Sequence, residues 1–111
     1  MESDITHRGD GVAVLALRGK LNMVTAPVVR ETITALVGDG HSRVVVDLAE
    51  VPFLDSSGLG ALIAGLKSAR QAGGDLRIAA PSEQTRLVLR LTNMERVLTP
   101  YDTAEEAFAR A

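Results

Sequence analysis

Apolar positions recur along this chain with two different periods, and their order predicts the fold. VAVLALRG at 12–19 is rich in aliphatic and β-branched residues and alternates in part, which reads as a strand. The RGDG stretch at 8–11 is turn chemistry, so residues 3–8 are expected to pair with that strand as a hairpin. RVVVDL at 43–48 is a continuous apolar run with polar flanks, typical of a strand covered on both faces. LRIAA at 76–80 predicts the next central strand, and RVLTPY at 96–101 a short edge strand, because Pro100 cannot donate to a ladder.

Between these runs the period changes to that of a helix. Val29, Ile33, Leu36 and Val37 share one face, with Thr25 as the expected N-cap, Pro27 in the first turn and Gly38 as a left-handed stop. Leu59, Leu62, Ile63, Leu66 and Ala69 form a second stripe, closed by AGGD at 72–75. Ser82 is the expected cap of a third helix over 83–93, with Leu87, Val88 and Leu91 turned inward. Asp102 and Glu105 have capping-box spacing for a fourth helix burying Ala104, Ala107 and Phe108. Strand and helix alternate after an opening hairpin. The expectation is a small α/β domain with a mixed β-sheet and about four helices, occupying residues 1–111 as one unit.

Composition narrows the chemistry. The chain has 111 residues and no cysteine, so disulfides and thiolate metal sites are excluded, and His7 and His41 are the only candidate nitrogen ligands. A net charge of -2 with twelve scattered Lys and Arg supplies no basic stripe for nucleic acid. One Tyr and two Phe offer no stacking platform for bases. The longest apolar runs are far short of the roughly 20 residues that span a bilayer. MESDITHR at the start is acidic and polar, unlike a secretion signal. A soluble, cytoplasmic protein without cofactor or metal is expected.

The most informative stretch is LDSSGLG at 54–60, lying between the buried strand and the second helix. In α/β folds, functional groups gather where parallel strands end and helices begin. The plainest reading is capping, since Asp and Ser are favoured N-caps and Gly suits a tight approach to a helix start. A nucleophile elbow needs Gly two residues before and after the serine; Ser56 has Leu54 and Gly58, and Ser57 has Asp55 and Leu59. His41 precedes the strand that LDSS follows, about 15–20 Å away at ~3.3 Å per residue, too far to act as a base. GLGALIAGLKS lacks the Gly-Lys-Ser/Thr of a phosphate-binding loop, and Asp47 with Asp55 does not make a Mg²⁺ site. A hydroxyl displayed at a helix N-terminus without its own catalytic machinery remains. Free N–H groups and the helix dipole favour an added phosphate there.

LDSSGLGALIAGLKSAR resembles the signature of STAS domains, in particular the small stand-alone anti-sigma-factor antagonists of bacteria. The similarity extends over the opening hairpin ending LRGKLN, the helix beginning TAP, the VVVDL strand and RIAAPSEQTRLVLRLT. It implies a non-enzymatic partner switch. The unphosphorylated protein would bind an anti-sigma factor that is also a serine kinase, and so release a sigma factor. Phosphorylation of Ser56, the first hydroxyl after Asp55, would end binding, and a serine phosphatase would restore it. A non-switching STAS subunit of a larger regulatory or transport assembly is the alternative, and an unrecognised hydrolase a third. Asn22 stands where the family often has Asp, and Met23 and Val24 where polar residues are common.

Two features are expected to flank the phosphosite neighbours Asp55, Ser57 and Gly58. Asn22, Met23 and Val24 should occupy a loop at the same end of the sheet. Gly58, Ala61, Gly65 and Ser68 form a strip of small residues beside the apolar stripe. That strip suits either close packing on a neighbouring helix or the approach of a partner's backbone.

Overall fold

The computed structural model describes residues 1–108. Strands β1 (Glu2–His7) and β2 (Val12–Arg18) form an antiparallel hairpin across the 8–11 turn. β3 (Arg43–Glu50), β4 (Asp75–Ala79) and β5 (Pro100–Tyr101) then add in parallel, giving a five-stranded sheet in sequential order. The crossovers carry helices α1 (Ala26–Gly38), α2 (Ser56–Gln71) and α3 (Glu83–Leu91), the last followed by a short 3₁₀ turn at Met94–Arg96. None of the described helices is long and apolar enough to cross a membrane.

Two apolar layers explain the uninterrupted VVV of β3. Val44, Val46 and Leu48 face the helices with Leu15, Ile33, Leu62, Leu66 and Ile78. Val45 faces the other side, where Val12, Ala79, Ala107 and Phe108 bury it. α1 presents Val29, Ile33 and Leu36 inward, and α2 presents Leu59, Leu62, Leu66 and Ala69, as their periodicity predicts.

Four expectations are corrected. The described part of the fourth helix, 102–108, is a set of turns, and among the described residues there are three α-helices. Asp102 pairs with Arg86 instead of capping, and Arg8 Nη1 donates to the carbonyls of Ala104 and Ala107 at 3.0 and 3.2 Å. The predicted burial of Ala107 and Phe108 is nonetheless present, with Arg77 and Arg43 lying 4.1 and 4.9 Å from the Phe108 ring centre. The same Arg8 hydrogen-bonds Asp10 and holds that carboxyl below its ordinary range. Second, α3 buries Thr85 and Leu89, leaving Leu87 and Leu91 45% and 75% exposed. Third, Gly40, not Gly38, takes the left-handed conformation after α1 (φ 93°). Fourth, Thr25 makes no side-chain cap hydrogen bond at α1; its Oγ1 donates to the Lys20 carbonyl and accepts from Asn22 N–H.

The β3–β4 junction depends on a close backbone approach. An added Cβ at Gly74 would fall 2.0 Å from the Ser42 carbonyl oxygen, which accepts the Asp75 N–H. Gly74→Ala should therefore lower the unfolding free energy by about 1–3 kcal/mol, as overpacking of a rigid contact does. Gly60, on α2 with open space around its Cβ position, is the control. Gly60→Ala should stabilise by roughly 0.5–1 kcal/mol through helix propensity alone. Urea denaturation of the two variants measures both, and opposite signs are expected.

Candidate functional site

Two strand-to-helix connections, 19–25 and 51–55, run side by side at the carboxyl end of the sheet. Leu21 and Leu54 form a parallel bridge: Leu21 N–H donates to the Phe53 carbonyl at 2.9 Å, and Asp55 N–H donates to the Leu21 carbonyl at 3.2 Å. Leu21 and Leu54 are both fully buried, so the bridge anchors the two connections to the main core.

α2 starts from that bridge. Asp55 is extended (φ -105°, ψ -174°), and its Oδ1 accepts the Gly58 N–H at 2.9 Å, which makes it the N-cap. Capping by Asp55 leaves the Ser56 hydroxyl out of the cap. Ser56 is exposed at the first helical position, and Ser57 is half-buried one residue on. Ser57 lines a shallow groove of about 380 Å³ between α1 and α2 with Met23, Pro27, Arg30 and Gly60.

Gly58 is required where it stands. A Cβ there would meet the Leu21 carbonyl oxygen at 2.5 Å and Leu21 Cγ at 2.7 Å. Gly65, two turns on, would meet Ile33 Cγ2 at 2.8 Å and Leu76 Cδ1 at 3.1 Å. The small-residue strip is thus a packing surface: Gly58, Ala61 and Gly65 are buried and Ser68 half-buried. Of the two readings open for the strip, close packing is the one seen at Gly58 and Gly65, which face Leu21 and Ile33.

The loop residues fall at the same end as Ser56. Asn22 Oδ1 accepts from Val24 N–H (3.0 Å) and Thr25 N–H (3.2 Å), so this side chain shapes the turn. That turn projects Met23 and Val24 outward, 72% and 78% exposed. Phe53 and Val28, not singled out in the sequence, are also exposed large apolar side chains here. Their signal was present but ambiguous: Phe53 borders the motif, and Val28 lies four residues after Val24. His7 and His41 lie together elsewhere, with ring centres 4.5 Å apart, at the end of β3 remote from Ser56. Among the described residues, no group of three or more His, Asp or Glu is placed to hold a metal.

Two substitutions test this construction. Gly58→Ala should destabilise by about 1–3 kcal/mol, because the Leu21 backbone cannot withdraw without breaking the bridge. Asp55→Ala should lose about 0.5–2 kcal/mol, the usual effect of removing an N-cap. Thermal melts should show both decreases, with amide shift changes centred on residues 21, 53 and 58.

Comparison with known proteins agrees with this architecture. The STAS domain model matches residues 5–107. The anti-sigma-F factor antagonist RsfB of Mycobacterium tuberculosis is 30% identical over 100 residues, covering 88% of this chain and 80% of RsfB. An anti-sigma factor antagonist from Mycobacterium paratuberculosis superposes with a TM-score of 0.84 at 32% identity, over 96% of this chain and 89% of that one. A Thermotoga maritima protein assigned to the anti-sigma factor antagonists superposes with a TM-score of 0.88 at 29% identity, over 95% and 90% of the two chains. With a matched family model over nearly its whole length and the motif seated at the head of α2, the chain belongs to the family of STAS-domain anti-sigma-factor antagonists.

Proposed function

We propose that the protein is a cytoplasmic, non-enzymatic partner switch. In its unphosphorylated form it binds an anti-sigma factor with serine kinase activity and releases a sigma factor. The kinase phosphorylates Ser56, binding is lost, and a serine phosphatase resets the switch. The observation that carries this reading is the division of labour at the head of α2. Asp55 caps the helix, Gly58 closes the packing, and Ser56 is left exposed with no structural duty assigned to it.

The surroundings support a protein partner. Met23, Val24, Val28 and Phe53 are exposed apolar side chains at the same end of the molecule, on the two bridged connections and the first turn of α1. Such groups, clustered around a hydroxyl, suit an interface centre better than free solvent.

A phosphoserine adds about -1.5 to -2 charges at neutral pH. At a helix N-terminus the dipole returns about 0.3–1 kcal/mol, and repulsion from Asp55 offsets part of it. These opposing terms are small, so the fold should persist. In an interface the same charge, buried without a partner, costs about 2–5 kcal/mol, or roughly 30- to several-thousand-fold in affinity.

The test uses the purified anti-sigma-factor kinases of the source organism, each incubated with the protein and ATP. One of them should add a single phosphate at Ser56, and Ser56→Ala should remain unmodified yet still bind. Ser56→Asp should weaken binding while its melting temperature stays near that of the parent. Phosphate mapped to Ser57 alone, or undiminished binding by the phosphoprotein, rules the switch out. Ester or nucleotide hydrolysis that survives purification and vanishes in Ser56→Ala would overturn the non-enzyme assignment.

A further inference from the structure

We propose that Gln84, at the start of α3, is a positioning residue for the Ser56 hydroxyl, acting through a two-bond clamp on Leu54. Backbone groups in an extended segment point alternately to either side. On one side of the 53–55 segment, the Phe53 carbonyl and Asp55 N–H are taken by Leu21. On the other side, Leu54 presents its own N–H and carbonyl to the Gln84 carboxamide. Gln84 Oε1 accepts the Leu54 N–H at 3.0 Å, and Gln84 Nε2 donates to the Leu54 carbonyl at 2.8 Å.

The carboxamide therefore stands in for a neighbouring strand, one side chain supplying both a donor and an acceptor. It is itself held firmly. Ser82 Oγ caps α3 by accepting the Thr85 N–H at 3.1 Å, and Thr85 is fully buried, so Gln84 lies between two fixed residues. Leu54 lies two residues before Ser56, and the cap Asp55 lies between them. Fixing the peptide units on both sides of Leu54 sets the direction in which α2 starts and the place at which it delivers Ser56.

This proposal rests on the reading of Ser56 as phospho-acceptor. In that reaction Ser56 Oγ forms a bond to the γ-phosphorus of kinase-bound ATP, the bond to ADP breaks, and the hydroxyl proton leaves to a kinase base. Rates of such transfers fall steeply when the acceptor is misplaced, and a misplacement of about 1 Å can lower the rate about 100-fold. In the proposed switch, docking through Met23 and Val24 uses a turn held by Asn22, which Gln84 does not contact. A defect in the clamp should therefore appear in kcat and not in KM.

The experiment compares Gln84→Leu, Gln84→Glu and the control Gln71→Ala, at the far end of α2. Gln84→Leu removes both hydrogen bonds at similar volume. Amide protection at Leu54 should fall about 2- to 10-fold, the equivalent of one net hydrogen bond. With the kinase that modifies the parent protein, kcat at Ser56 should fall about 10- to 100-fold at nearly constant KM. Gln84→Glu supplies a pH-dependent rescue. Its neutral acid can accept from and donate to Leu54 as the amide does, whereas the carboxylate cannot donate. The Leu54 carbonyl carbon shift, referred to the parent at each pH, reports the donated bond; it should match the parent below the carboxyl's titration and depart from it at neutral pH, while the Leu54 N–H keeps its acceptor throughout.

Unchanged Leu54 protection in Gln84→Leu, or no pH dependence in Gln84→Glu, overturns the clamp whether or not any kinase acts on Ser56. Loosened amides with an unchanged kcat overturn the positioning role and leave a structural contact only. Absence of phosphate on the parent protein instead refutes the reading of Ser56, and the amide measurements still decide the clamp.

Discussion

The contact between Leu21 and the head of α2 is the constraint on which the rest of the site depends. Two connections that leave neighbouring parallel strands are drawn together until the Leu21 carbonyl occupies the place where a side chain on residue 58 would begin. Only glycine permits that distance. Once it is reached, the Leu21–Leu54 bridge can form, Asp55 is aligned to cap Gly58 N–H, and α2 starts at Ser56. The chain of causes runs from an absent Cβ to an exposed hydroxyl. Each step uses backbone groups that would otherwise be unpaired near a buried core, where an orphaned donor or acceptor costs about 1–3 kcal/mol.

The opposite face of the sheet shows the same economy by another route. Val45 and Ala79 need cover, and no helix crosses that side among the described residues. Residues 102–108 lie over it as turns. Arg8 takes the Ala104 carbonyl, which a continuing helix would offer to residue 108, and Phe108 itself adopts φ 63°. Arg43 and Arg77 flank its ring within cation–π range. Burial was the strong constraint on this segment and helical continuity the weak one.

That distinction explains what the sequence made legible. Strands β2 to β4 follow from short aliphatic runs buried on both faces, and helices α1 and α2 from one apolar stripe each. The site motif is legible for a related reason: Asp55 and Gly58 have local duties that only a few residue types can perform. α3 is different. Leucines at 87, 89 and 91 offer more than one apolar face, and periodicity favoured the face bearing Leu87 and Leu91. The rotation is instead settled by polar contacts, with Ser82 capping, Thr85 buried against it and Gln84 reaching across to Leu54. Long-range hydrogen bonds of this kind leave no periodic trace. Similarly, the strip Gly58, Ala61, Gly65 was legible as a surface where backbones approach closely. Only the packed structure identifies the approaching groups as Leu21 and Ile33.

These two sets of residues differ in what constrains them. Gly58, Asp55, Leu21 and Leu54 are bound to one another by distances that leave no latitude, so any chain that builds this platform must solve the same geometry. Met23 and Val24, 72% and 78% exposed, meet no such internal demand, and Val28 and Phe53 keep 50% and 40% of their surface in water. In the proposed switch these apolar side chains at the rim of the platform meet the partner, which removes them from solvent. On that reading, recognition of the family and choice of partner reside in different atoms. The first is set by backbone packing around Gly58, and the proposed switch assigns the second to the side chains that packing leaves outside.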